Sequence, residues 1–187
     1  MPRIPGVSDA EAGPADLVEA IRARRGGRLL NLDRMLLVSP PLARGWNAHL
    51  GAVRTGLTLA ARLRELAICA VAVLNGADYE LEHHLPLYRE AGGGDRAVRA
   101  LRSCQTKRDA GALLEDAEAF EAAEHAVLEL TVEMTVRIRV SEATFERVRS
   151  SFDSDRQTVE LVAVVATYNM VSRFLVALGV EPEGEPT

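Results

Sequence analysis

The chain has little of what usually marks a chemistry at a distance. Of its 187 residues 4% are aromatic, there is one tryptophan, and Lys107 is the only lysine. The two cysteines, Cys69 and Cys104, lie far apart. They form neither a zinc-ligand spacing nor a Cys-x-x-Cys redox pair, and Cys69 reads as a small core residue of an apolar helical run. No basic excess exists: the net charge is -5, so the counterion release that drives phosphate binding has no electropositive face to act on and no nucleic-acid partner is expected. The longest apolar stretch, Leu66 to Leu74, is too short to span a bilayer, and residues 1–12 hold Pro, Gly, Asp and Glu where a signal peptide would be apolar. No membrane partner and a cytoplasmic location are the expectations.

What is present favours helix. Hydrophobic residues make up 48% of the chain, enough for a sizeable core, and Ala, Leu, Glu and Arg lose little rotamer freedom in a helix. The pattern predicts one all-α domain over residues 1–187, with a flexible arm at 1–12 and a flexible tail at 181–187. Pro14 opens a helix that stops at Gly26-Gly27, and Asn31 or Asp33 caps a short one. Pro40-Pro41 opens a third, in which Trp46 is the core anchor. Leu59 to Leu74 carries a helical stripe that becomes apolar all round. After Asn75-Gly76 a further helix runs from Asp78 to Ala91, with Pro86 predicting a kink. Asp95 to Cys104 reads as a short helix, Gln105 to Leu114 as a surface connection and Glu115 to Met134 as a long helix. Val136 to Val140 alternates apolar residues with Arg and is the one strand-like signal. Ser141 caps a helix to Phe152, and a last helix runs from about Ser154 to Leu178.

The chemistry-bearing residues concentrate around Arg64-Glu65-Leu66 and the stretch from Asn75 to Ala91. Glu65 opens a helix that becomes buried, where a carboxylate needs a partner or takes up a proton. Glu80 and His84, spaced i, i+4, share a helix face, so Glu80 can hold one imidazole nitrogen and leave the other for a substrate. That is the outline of a general acid/base unit. His83 points about 100° away around the same helix. Glu80-x-x-His83 also has the spacing of half a di-iron site, but Glu121-x-x-x-His125 does not supply the second half, so no metal is expected. Tyr168 and Asn169 interrupt an otherwise apolar helix, either as pocket-lining groups or as satisfied core groups.

The order Arg-Glu-Leu, a long apolar run, a glycine turn and Tyr79-Glu80-Leu81-x-x-His84-x-Pro86-Leu87-x-Arg89-Glu90-Ala91-Gly92 resembles the core of the carboxymuconolactone decarboxylase and alkylhydroperoxidase D superfamily. The Trp46 helix and the closing run from Val159 through Tyr168 to Val180 extend the likeness. The resemblance implies an all-α bundle of about eight helices that self-associates as a trimer or hexamer. The peroxidase branch carries a Glu, a Cys-x-x-Cys pair and a His; counted from Glu65, those positions are Ala77, Glu80 and His84, so both thiols are missing. Thiol peroxidase chemistry is then excluded unless Cys69 is exposed and activated. Glu80-x-x-x-His84 instead resembles the decarboxylase branch, which needs neither metal nor organic cofactor. On that likeness Glu65, Glu80 and His84 are the catalytic candidates, with Glu80 setting the tautomer of His84 and Glu65 completing a relay. Tyr79, His83 and Tyr168 are the candidate substrate contacts, and Arg62, Arg64 and Arg89 the candidates for holding a carboxylate of a small lactone or ring compound. The alternative is a family member that has lost its redox cysteines and serves a non-catalytic role.

Overall fold

The computed structural model describes residues 2–104, 110–115 and 118–184. Helix accounts for 69% of the chain, and no strand occurs among the described residues. Two compact units form: one holds residues 1–57 and 177–187, the other residues 58–176.

The first unit contains α1 (Ala15–Arg24), α2 (Asn31–Leu36) and α3 (Pro40–Thr55). Pro14 stands at the N-cap of α1, one position earlier than its sequence suggests, and Gly26 and Gly27, both at positive φ, end the excursion that follows it. Asp33 organises the next turn: its carboxylate accepts the Leu30 amide at 3.0 Å and pairs with Arg25 at 3.1 Å and Arg24 at 3.5 Å. A buried carboxylate is tolerable on such terms because every oxygen is engaged. The prolines of α3 fill its first turn, where their missing amides cost nothing, and Trp46 and Leu50 turn into the core. The arm and the described part of the tail make hydrogen bonds to the rest of the first unit. Arg3 donates its amide to the Leu178 carbonyl, Val7 to Arg34, and Asn31 to the Glu183 carboxylate.

The second unit is built around a helical hairpin. Helix α4 (Ala61–Asn75) is buried at every position from Glu65 to Leu74. It ends at Gly76, whose left-handed backbone (φ 63°) lets Ala77 N–H return to the Ala72 carbonyl at 2.9 Å. Helix α5 (Asp78–Glu90) starts at once and folds back along α4, with Pro86 in its interior. Then come α6 (Asp95–Ser103), α7 (Ala112–Glu115), α8 (Ala122–Val132), α9 (Glu142–Ser150) and α10 (Asp155–Leu178). Of the connection expected over 105–114, residues 105–109 lie outside the described residues, while 112–114 are helical and belong to α7.

Two expectations are corrected. The long helix predicted from Glu115 is broken before α8, because Glu124 reaches back to accept the Glu121 amide at 3.0 Å and starts a new helix. The predicted strand at 136–140 is instead a π-helical turn, Glu133–Arg137, followed by Ile138 at φ 67° and 83% exposed. Five alternating residues with no partner strand and no buried face have nothing to pair with. Helix α10 is long and apolar enough to cross a membrane by length and composition. Its polar groups are nonetheless bonded within the second unit, Glu160 to the amides of Thr58 and Leu59 and Asn169 to Asn75 and Thr135, the pattern of a core helix.

Tyr88 shows how tightly the hairpin end is packed. Its ring is fully buried and its hydroxyl donates to Glu124 at 2.8 Å, while Arg62 holds the same carboxylate with two nitrogens. A Cβ added to Gly93 would come within 2.5 Å of that ring. Since the ring is locked at both ends, Gly93→Ala is expected to destabilise the fold by about 1–3 kcal/mol, measured by chemical denaturation, with helix content of the folded state unchanged.

Candidate active site

The hairpin turn sets which residues of α4 and α5 face one another. With α5 running back along α4, His84 comes beside the first half of α4, and its Nδ1 lies 2.6 Å from Glu65 Oε2. Arg64 closes the other side of that carboxylate, with Nε and Nη2 each 3.1 Å from Oε1. Burial works to raise the Glu65 carboxyl, but the His84 bond and the Arg64 charge outweigh it and hold the group below its ordinary value. A carboxylate held low in this way accepts the bond, so Nδ1 is the nitrogen that carries the hydrogen between them. The edge of His84 meets Tyr168 of α10, with ring centroids 5.0 Å apart and planes at 84°.

Glu80 takes a different part from the one its spacing suggests. It does not hold His84; Ser172 Oγ of α10 donates to its Oε1 at 3.0 Å, and Oε2 is buried with no partner. The i, i+4 rule places two residues on one face, but Glu80 lies a turn nearer the hairpin end and reaches the third helix instead. Burial pushes its carboxyl well above the ordinary value, with the Ser172 bond opposing only in part. Two carboxyl groups of the hairpin are thus shifted in opposite directions, Glu65 below its ordinary value and Glu80 above it.

Cys69 sits one helical turn from Glu65 on α4 and is fully buried. Burial, and after it the Glu65 carboxylate one turn away, push its thiol up. It is neither exposed nor activated, so the condition under which a thiolate could act here is not met. His83 is turned away, its Nδ1 2.7 Å from the carbonyl of Tyr79 and its ring stacked on Tyr79 at 4.3 Å. The structure thus joins His84 to Glu65 and to Tyr168, bonds Glu80 to Ser172 one turn along α10 from Tyr168, and stacks Tyr79 on His83. Asn169 is a structural joint, donating to Thr135 and the Val165 carbonyl and accepting from Asn75 and Arg173. Ser172 is the member that sequence reasoning missed; its i+4 relation to Tyr168 on an apolar helix was the available signal. Among the described residues no group of three or more His, Cys, Asp or Glu is placed to hold a metal ion.

An all-helical chain with a carboxylate and a histidine paired across a buried hairpin belongs to the alkylhydroperoxidase D-like class of folds. The family profile described as "Carboxymuconolactone decarboxylase family" matches residues 40–133, half of the chain, and the protein is a member of that family. Among solved structures it is similar to an uncharacterized peroxidase-related protein from Silicibacter sp. TM1040, at 20% identity and TM-score 0.75, covering 98% of this chain and 95% of that one. It is likewise similar to a peroxidase-related protein with an alkylhydroperoxidase AhpD core from Ralstonia eutropha JMP134, at 19% identity and TM-score 0.78, covering 98% and 93%. A third similar structure is a cysteine-to-alanine variant of the debrominase Bmp8 bound to 2,3,4-tribromopyrrole, at 14% identity and TM-score 0.75, covering 98% and 95%. No curated protein matches the chain.

The opposed carboxyl groups give the fold a measurable pH signature. Because the folded state raises Glu80 above its ordinary value of 4.5, the folded protein binds a proton that the unfolded chain releases. Stability from this group is full below that value and is lost as the pH rises toward the folded one. Glu80→Gln removes the term, so its stability relative to the native protein is expected to improve with rising pH by up to about 1.4 kcal/mol per unit. Urea denaturation of both proteins between pH 5 and 8 reads this slope; a flat difference would show Glu80 ionised in the fold.

Proposed function

We propose that the protein is a cofactor-free acid/base enzyme that moves a proton on a small ring compound, by decarboxylation of a lactone or a related proton transfer. The observation that carries this reading is the 2.6 Å bond between His84 Nδ1 and Glu65 Oε2 inside the core. Such a bond fixes the tautomer and orientation of an imidazole and stabilises the imidazolium that forms when Nε2 takes a proton. Glu80, on the same helix face as His84 and with its carboxyl pushed well up by burial, supplies the acid half of this reading. The family to which the chain belongs includes enzymes of this kind, and the missing Cys-x-x-Cys pair together with the buried, protonated Cys69 speaks against a thiol mechanism. Self-association as a trimer or hexamer is part of the same reading.

His84→Ala is expected to lower turnover of a responsive lactone by about 100-fold or more, with unchanged circular dichroism and sedimentation. Lactones with and without a carboxylate and an organic hydroperoxide form the panel. Peroxide consumption by the native protein, or full lactone turnover by His84→Ala, would overturn the mechanism.

A further inference from the structure

The turn after α8 displays a side chain that its backbone does not favour. Ile138 is the one non-glycine residue at positive φ among the described residues, at 67°, and it is 83% exposed. A β-branched residue is strained in that region, and glycine would relieve it. Such a conformation persists only where the surroundings hold it, and here they do. Thr135, buried in the π-helical turn, accepts from Asn169 Nδ2 at 2.9 Å. Glu133 reaches across the turn to accept the Ser141 amide at 2.6 Å and the Thr144 hydroxyl at 3.2 Å. The turn thus holds an aliphatic side chain in water against both strain and the hydrophobic effect. Arg137 and Arg139 flank it, both exposed. Neither makes a hydrogen bond or ion pair among the described residues, and Arg137 lends only its charge to Glu133.

A surface of complementary character lies on α5. It is a groove of about 700 Å³ whose apolar lining is Leu81, Leu85 and Pro86. Asp78, Glu82 and Glu90 line it too, all exposed and without an ion-pair partner among the described residues. Of its cations, Arg89 is paired with Asp95 at 3.6 Å, and Arg102 comes from α6. Three unpaired carboxylates against one unpaired guanidinium leave the groove negative. An isoleucine between two arginines meets there an apolar lining between carboxylates, a match in both hydrophobicity and sign of charge.

We propose that the turn at 137–139 of one copy docks into the α5 groove of a second copy, with Ile138 against Leu81, Leu85 and Pro86 and the two arginines against Asp78, Glu82 and Glu90. The proposal rests on the self-association named with the acid/base reading and gives it a surface. Burial in the groove takes Ile138 out of water, and the arginine stems cover further apolar area while their heads stay hydrated at the rim. Each copy carries both a knob and a groove, so the contact repeats from copy to copy until the assembly closes. The strain at Ile138 is then the cost of a rigid, preformed knob, which loses little freedom on docking.

Sedimentation velocity of the full chain from nanomolar to micromolar concentration tests this, with circular dichroism confirming that each variant is folded. Ile138→Gly is expected to weaken association at least about tenfold, with no loss in the urea midpoint of the dissociated protein, since glycine accepts that backbone freely. Reversing the knob (Arg137→Glu with Arg139→Glu) or the groove (Glu82→Arg with Glu90→Arg) is expected to weaken it similarly, and the fourfold variant to restore it. Association of the native protein is expected to weaken with added salt. Assembly that survives Ile138→Gly and both reversals, or reversals that the fourfold variant does not rescue, would overturn the docking and leave self-association standing. A native protein that stays monomeric would overturn both, while the acid/base role of His84 is judged separately, on turnover.

Discussion

The bond between His84 and Glu65 joins two helices across a turn of two residues, and most of the second unit is arranged to make it possible. Gly76 provides the left-handed step that reverses the chain, the uninterrupted burial of α4 removes water from around the carboxylate, and Arg64 adds its charge to the His84 bond in holding that carboxyl low. Remove the water and an ion pair or charge-assisted hydrogen bond strengthens, but the cost of burying the charge rises with it. Here the cost is met by pairing both oxygens of Glu65, one with imidazole and one with guanidinium.

Glu80 shows the opposite outcome for the same functional group. It lies on the same helix face as His84, yet no cation reaches it and its single donor is a neutral hydroxyl. Desolvation then dominates and pushes its carboxyl well above the ordinary value. The difference between the two carboxyl groups is therefore one of partners, since both are equally hidden from solvent. The proposed acid/base role draws on this contrast between one carboxyl held low and another pushed up within the same hairpin. In that arrangement Cys69 contributes volume, its thiol pushed up by burial and then by the Glu65 carboxylate.

Elsewhere carboxylates serve as joints. Glu160 ties the entry of α4 to α10 through two amides, Glu124 caps α8 while holding Arg62 and Tyr88, and Asp33 does the equivalent work in the first unit. Each accepts several hydrogen bonds, which is how an acidic chain with few aromatics fills its interior without orphaned charge.

The helices were legible in the sequence because their signals are local: Pro40-Pro41, Gly76, Ser141 and Gly179 mark ends whose chemistry needs no distant partner. So were Glu65, Glu80 and His84 as the residues of interest, from a carboxylate in an apolar run and an i, i+4 pair. Their division of labour was not. Spacing on one helix pairs Glu80 with His84, whereas packing of α5 on α4 and α10 gives His84 to Glu65 and Glu80 to Ser172, and only the summed environment of each carboxyl sets its proton. The break before α8 and the π-helical turn after it were equally out of reach, since both depend on what Glu124 and the residues around Val136 meet in three dimensions. Sequence alone determined which groups were available and on which helix each stands; tertiary structure decided their partners, because a side chain's hydrogen bonds and charge follow from neighbours that are remote along the chain.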